Sequence, residues 1–169
     1  MKKIYAPWRK EYVTDAEKVK KKQEQGAESV VVPCVFCQAF SRTTDEQDFI
    51  LERREHTIVM LNRYPYNAGH LLILPIAHTQ TLVMLPPVVR TELMETTSWW
   101  TGHLERTLRT DGLNVGINIG EAGGGGIPQH LHVHVLPRWK NDTSFLPLLA
   151  ETKVISVDMQ QIYTRLRLR

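Results

Sequence analysis

Apolar and polar residues alternate without a break from His130 to Val135, in the run His-Leu-His-Val-His-Val-Leu. A period of two is the pattern of a β-strand, and side chains two apart leave the same face about 6.5–7 Å from one another. The pattern predicts a strand at 130–136 with His130, His132 and His134 on one face. Leu131, Val133 and Val135 then turn towards a core. Short apolar runs predict further strands at 48–53, 57–62, 70–75 and 114–119, and Arg53-Arg54-Glu55-His56 marks a turn between the first two. A 3.6-residue period takes over at 86–109, where Leu93, Thr96, Trp100, Leu104 and Leu108 share one side. Pro86 suits the first position of that helix, and Asp111-Gly112 ends the element. Trp99 and Trp100 read as core or interface aromatics. Helices are also expected at 14–25, with Thr14 or Asp15 as N-cap, and at 158–168.

Hairpin-like strands with one long helix indicate an α+β domain built on an antiparallel sheet of about five strands. The chain of 169 residues suits one such domain with decorated ends. Residues 1–30 form an N-terminal extension with its helix, 31–140 the sheet domain, and 141–169 a tail. The tail's Phe145, Leu146, Leu148 and Leu149 and its helix are expected to pack back on the sheet domain.

Composition changes this picture little. A 42% hydrophobic and 23% charged chain is ordinary for a soluble globular protein. The formal charge of +3 suits a small polyanion or a weak nucleic-acid contact without choosing between them. Lys18, Lys20, Lys21 and Lys22 read as a solvated helix face, so nucleic acid is not the expected partner. No apolar stretch approaches the roughly 20 residues that span a bilayer, and the charged start lacks a signal-type apolar segment. The only cysteines, Cys34 and Cys37, exclude a disulfide scaffold, and the expected compartment is the cytoplasm.

Three features carry chemistry. Neutral imidazole is a nucleophile, a proton carrier and a metal ligand, and three of the seven histidines fall on one short strand. Directly ahead of them, Gly123-Gly124-Gly125-Gly126 lets main-chain N–H groups approach an anion unhindered. No Lys-Ser/Thr follows and the run opens a strand, so a P-loop is excluded; beside the histidines, a phosphate nest is the better reading than a plain hairpin connection. Finally, Cys34-x-x-Cys37 has the spacing by which two thiolates chelate one zinc ion from a single turn at Pro33–Cys37. A closed tetrahedral site needs two more ligands, for which His78 and His130 are the candidates. A redox CxxC is the alternative, but no thioredoxin-like βαβ pattern surrounds it.

The run from His130 to Leu136 resembles the His-x-His-x-His-x-x motif of the histidine triad (HIT) superfamily of nucleotide hydrolases and transferases. Asn62 to Pro75, with seven residues between Asn62 and His70 and four apolar residues before Pro75, is similar to a second motif of that family. Ala6-Pro7-Trp8-Arg9, Asn62-Arg63-Tyr64-Pro65-Tyr66, Gly126-Ile127-Pro128-Gln129-His130 and Pro137-Arg138-Trp139 with Asn141-Asp142-Thr143 look like the diadenosine tetraphosphate phosphorylase-like branch. The spacing of Cys34, Cys37, His78 and His130 is similar to that of zinc-containing bacterial members, where the metal is structural.

The resemblance implies a nucleotidyl transfer to His132, with His134 and His70 donating to phosphate oxygens or the leaving group. It implies that Asn62 holds the ribose, and that Asn118, Gly124, Gly125 and Gly126 support the phosphates. Other branches carry Gly-Gln-Ser/Thr just before the histidines; here no hydroxyl stands there, and Gln129 is left to substitute. The implied substrate is an adenosine nucleotide or dinucleoside polyphosphate, accompanied by magnesium, and the implied assembly a homodimer. A regulatory module without turnover, an AMP-phosphoramidate hydrolase and a zinc hydrolase using the histidine strand are the competing readings.

Overall fold

Buried strands on this chain are short and wholly apolar apart from their ends. Thr57–Leu61 and Leu71–Pro75 are buried along their whole length, as central strands covered on both faces must be. With Ile50–Arg53, Gly112–Ile117 and Val133–Arg138 they make a five-stranded sheet. Numbered β1 (Ile50–Arg53), β2 (Thr57–Leu61), β3 (Leu71–Pro75), β4 (Gly112–Ile117) and β5 (Val133–Arg138), its order is β1-β2-β3-β5-β4 and every pairing is antiparallel. The computed structural model describes residues 34–143 and 158–168. The expected helix at 14–25, its lysine run and the apolar stretch 145–149 lie outside the described residues. The chain divides into two units, 34–142 with 155–169, and 1–33 with 143–154.

Between β3 and β4 runs the long helix, Pro87–Leu108, with Pro86 as N-cap and Arg109 in a left-handed C-cap. Two short helices, α1 (Val35–Ser41) and α2 (Asp45–Asp48), precede β1, so the long helix is α3 and Met159–Leu166 is α4. The stripe expected on α3 is the buried one: Leu93, Thr96, Trp100, Leu104 and Leu108, joined by Val89 and Thr97. It packs with Val59, Leu61, Leu71, Ile73, Val133 and Val135 in one core. Trp99 stays partly exposed. Asp158 caps α4 by accepting from the Gln160 and Gln161 amides, and Ile162, Tyr163 and Leu166 enter the same core.

The opposite face of the sheet carries Ile58, Met60, Leu72 and Leu74, covered by Cys34, Phe36, Cys37, Phe40 and Ile127. The functional side chains gather at this second face.

Most elements fall within a residue or two of the sequence reading, and four departures bear on the site and its sheet. The segment 48–53 becomes a strand only at Ile50, because α2 ends in a left-handed residue at Phe49. The CxxC lies at a helix start and not in a turn: Cys34 is the N-cap of α1 and Cys37 is in its first turn. The strand placed at 114–119 runs from Gly112 to Ile117. Most consequential, β5 begins at Val133, so His130 and His132 precede the strand and only His134 lies in it. The register that pairs Leu71 with Val135 would set Pro75 opposite Leu131, and proline has no N–H to continue the ladder. Leu131 N–H instead donates to the Thr79 carbonyl.

Candidate active site

His134 on β5 stands across from Leu72 on β3 and from Gly116 on β4. Its Nδ1 is 2.9 Å from Nε2 of His70, the residue just before β3. Around His70 the proton positions follow from its partners. The Tyr66 amide donates to His70 Nδ1 at 3.1 Å, so that nitrogen carries no proton and His70 Nε2–H is the donor to His134. His134 Nδ1 is therefore the acceptor, and its proton sits on Nε2.

His132 is fixed the other way. Its Nδ1–H donates to the main-chain carbonyl of His130 at 2.7 Å, which leaves the Nε2 lone pair available. Burial is the larger influence on its pKa and pushes it down, against the raising effect of that hydrogen bond. A neutral imidazole with a free Nε2 is what nucleophilic chemistry requires. The His132 and His134 rings lie 4.8 Å apart, edge to face. By these assignments Nε2 of His132 carries a lone pair and Nε2 of His134 a proton, on neighbouring rings.

The four metal candidates also come together. Cys34 Sγ, Cys37 Sγ and one ring nitrogen each from His78 and His130 all lie within 4.8 Å of one another. Cys34 and Cys37 Sγ are 3.4 and 3.6 Å from His130 Nδ1, and Cys37 Sγ is 3.3 Å from His78 Nδ1. Zinc–sulfur and zinc–nitrogen bonds of about 2.3 and 2.0 Å put tetrahedral S···N edges near 3.5 Å, so the cluster is of the size such an ion needs. His130 Nε2–H donates to the Pro75 carbonyl at 2.9 Å, turning the Nδ1 lone pair to the thiols. Without an ion, burial and the neighbouring Cys34 push the Cys37 thiol up. His130 thus belongs to the sulfur cluster, which leaves His132 and His134 as the paired imidazoles outside it.

The remaining candidates are less ready. Asn62 Oδ1 accepts from the Tyr64 amide at 3.0 Å, and its Nδ2 is 3.3 Å from His70 Nδ1. Asn118 Nδ2 donates to the Gly124 carbonyl at 3.4 Å. In the loop expected to cradle an anion, Gly124 and Gly125 N–H donate to the carbonyls of Glu121 and Gly120, so in this conformation the loop's own turn engages them. A chain with no side chains to brace it satisfies its amides locally. Gly126 is exposed, and Gln129 is half-buried just ahead of His130. Opposite His134, a Cβ on Gly116 would meet nothing within 4 Å, which leaves open ground beside the triad.

Two neighbours of the site escaped the sequence reading. The Tyr66 ring lies 4.7 Å from His70 and stacks at 5.9 Å on His134. Phe36 touches both His130 and His132. Tyr66 stands four residues before His70 and Phe36 between the two cysteines, but neither position signals a ring contact by itself.

A five-stranded antiparallel sheet backed by one long helix, with imidazoles clustered on the other face, is the plan of the histidine triad proteins. A family model described as "HIT domain" matches residues 43–141, and the chain belongs to that family. It is 32% identical over 155 residues to an "AP-4-A phosphorylase" of Mycobacterium tuberculosis, covering 92% of this chain and 77% of that protein. It is 30% identical over 95 residues to an asymmetrical bis(5'-nucleosyl)-tetraphosphatase of Schizosaccharomyces pombe, covering 56% of this chain and 52% of that one. The crystal structure of a Zn-bound histidine triad family protein from Mycobacterium smegmatis superimposes with a TM-score of 0.66 at 26% identity, covering 80% of this chain and 91% of that one. Among the described residues no helix is long and apolar enough to cross a membrane.

Proposed function

We propose that this protein transfers a nucleotidyl group from a dinucleoside polyphosphate of the diadenosine tetraphosphate kind, through a covalent nucleotidyl-His132 intermediate. The observation that carries the reading is the 2.7 Å bond from His132 Nδ1–H to the His130 carbonyl, which leaves Nε2 unprotonated. Nε2 attacks the α-phosphorus, forming a P–N bond as the P–O bond to the leaving polyphosphate breaks. His134 Nε2–H, oriented by His70, stabilises a phosphate oxygen or protonates the leaving oxygen. Inorganic phosphate or water then attacks phosphorus and releases His132. Dividing one displacement into two lowers each barrier. The relatives that carry phosphorylase and tetraphosphatase names both support this substrate class.

Asn62 holds the ribose in this reading, and Asn118, Gln129 and the Gly124–Gly126 segment hold the phosphates once the loop amides turn outward. Zinc is the structural ion: Cys34, Cys37, His78 and His130 fill all four positions and leave none for water. Magnesium arrives with the polyphosphate and is not a resident ion. The protein works in the cytoplasm as a homodimer, for which edge strand β4 with exposed Val115 and the partly exposed Trp99 on α3 offer surface. The test is incubation with diadenosine tetraphosphate, with and without phosphate. ADP plus ATP identifies a phosphorylase and AMP plus ATP a hydrolase, and His132→Asn should abolish either while nucleotide still binds. Unchanged turnover in His132→Asn would sink the proposal.

A further inference from the structure

A hydrogen bond at one nitrogen defines a tautomer but still lets a ring hinge about that bond, so something else must hold the face of His132. Phe36 lies between Cys34 and Cys37 on α1, is 6% exposed, and has no polar atom of its own. Its ring centroid is 5.6 Å from that of His132, at 55°, and 5.6 Å from that of His130, at 79°. The His130 ring is itself held by the Pro75 carbonyl and packed near Cys34 and Cys37, and the His130 carbonyl is the acceptor for His132. Two arms therefore run from the cysteine helix to His132: one through the His130 main chain, the other through the Phe36 ring. The His134 ring is a further neighbour of His132, at 4.8 Å.

We propose that Phe36 is a positioning residue for His132, and that the Cys34/Cys37/His78/His130 cluster sets the angle of the His132 ring as well as stapling the fold. An apolar ring packed beside His132 also keeps water from that side, so the Nδ1–H bond to His130 has no competitor there. Smaller apolar side chains would leave the metal ligands intact and free the imidazole to sample a second orientation. A reacting atom displaced by about 1 Å can cost on the order of a hundredfold in rate.

The inference rests on the nucleophilic role of His132 proposed above, but its central test needs no substrate. Wild type and Phe36→Leu are labelled with 15N-histidine, and long-range 1H–15N spectra report the His132 tautomer while elemental analysis reports zinc. The expected result is a single Nδ1–H tautomer in wild type and a mixed population in Phe36→Leu, with zinc content unchanged. With diadenosine tetraphosphate the variant should lose about a hundredfold in kcat at nearly constant KM. Phe36→Tyr, which keeps the ring, should keep the single tautomer and most of the rate. Phe36→Met, which removes the ring at about the volume of leucine, replaces Phe36→Leu as the test if the latter loses zinc or fails to fold, with the same mixed population expected. An unaltered His132 spectrum in a zinc-loaded Phe36→Leu protein, or in zinc-loaded Phe36→Met where that variant replaces it, overturns the proposal. A tautomer that responds in a protein with no turnover would uphold the positioning and remove only the proposed reaction.

Discussion

Gly69→Ala tests how the backbone before β3 delivers His70 to the site. Gly69 has φ +72°, in the left-handed region, where an L residue costs roughly 1–2 kcal/mol. A Cβ built there would lie 2.5 Å from Leu108 Cδ1 and 3.4 Å from Pro137 Cγ. Leu108 belongs to the core, so relief means shifting a packed side chain, an overpacking cost of typically about 1–3 kcal/mol. Together the two effects come to roughly 2–5 kcal/mol, or a fall in Tm of about 4–20 °C for a domain of this size. The strain enters next to the active site, because the His70 amide donates to the Asn67 carbonyl across this glycine. The variant should therefore also lose turnover through the 2.9 Å contact between His70 and His134. Thermal unfolding followed by circular dichroism and steady-state kinetics read the two effects. A Gly69→Ala protein that melts with the wild type refutes the reasoning from φ and from the Leu108 contact alike.

Other outcomes follow from single contacts. Cys37→Ser, or prolonged chelation, should release the metal and lower the melting temperature, since that thiol faces both His78 and His130; metal analysis beside calorimetry checks it. His70→Ala removes the donor that fixes the His134 tautomer and should slow the chemical step by about a hundredfold or more, measured in single turnover, with nucleotide affinity changed far less. Thr57→Val should destabilise the protein by about 1.5–3 kcal/mol in urea denaturation at neutral pH, because the Thr57 hydroxyl donates to Glu92 at 2.8 Å. Burial works against the Glu92 carboxylate, yet the Thr57 hydroxyl and the His56 amide hold its pKa below the ordinary value. That contribution is present above the unfolded-state pKa and disappears as pH falls through the folded one, so in Thr57→Val, where the folded pKa moves back up, the acid loss of stability from this group should be smaller and end at higher pH.

Local periodicity is visible in the chain because neighbours in sequence share an element. Alternation at 130–136 separated Leu131, Val133 and Val135, which enter the helix-side core, from the histidines on the other face. The 3.6-residue spacing picked out the buried stripe of α3, and residue identity and spacing alone pointed to the family that matches 43–141. What tertiary structure decided depends on partners far along the chain. Cys34 meets His130 across 96 residues, and the carbonyl of Pro75 turns the His130 lone pair towards the thiols across 55. Pro75 also ends the ladder and delays β5 to Val133, a consequence of sheet register that no window around residue 130 contains. The glycine run marked a place where φ can turn positive, as it does at Gly124, but which way its amides point is settled by the nearest carbonyls once the loop closes. Proton positions are the last to be determined: a histidine's two nitrogens are equivalent in the sequence, and only a folded neighbour's donor or acceptor makes one a nucleophile and the other an anchor.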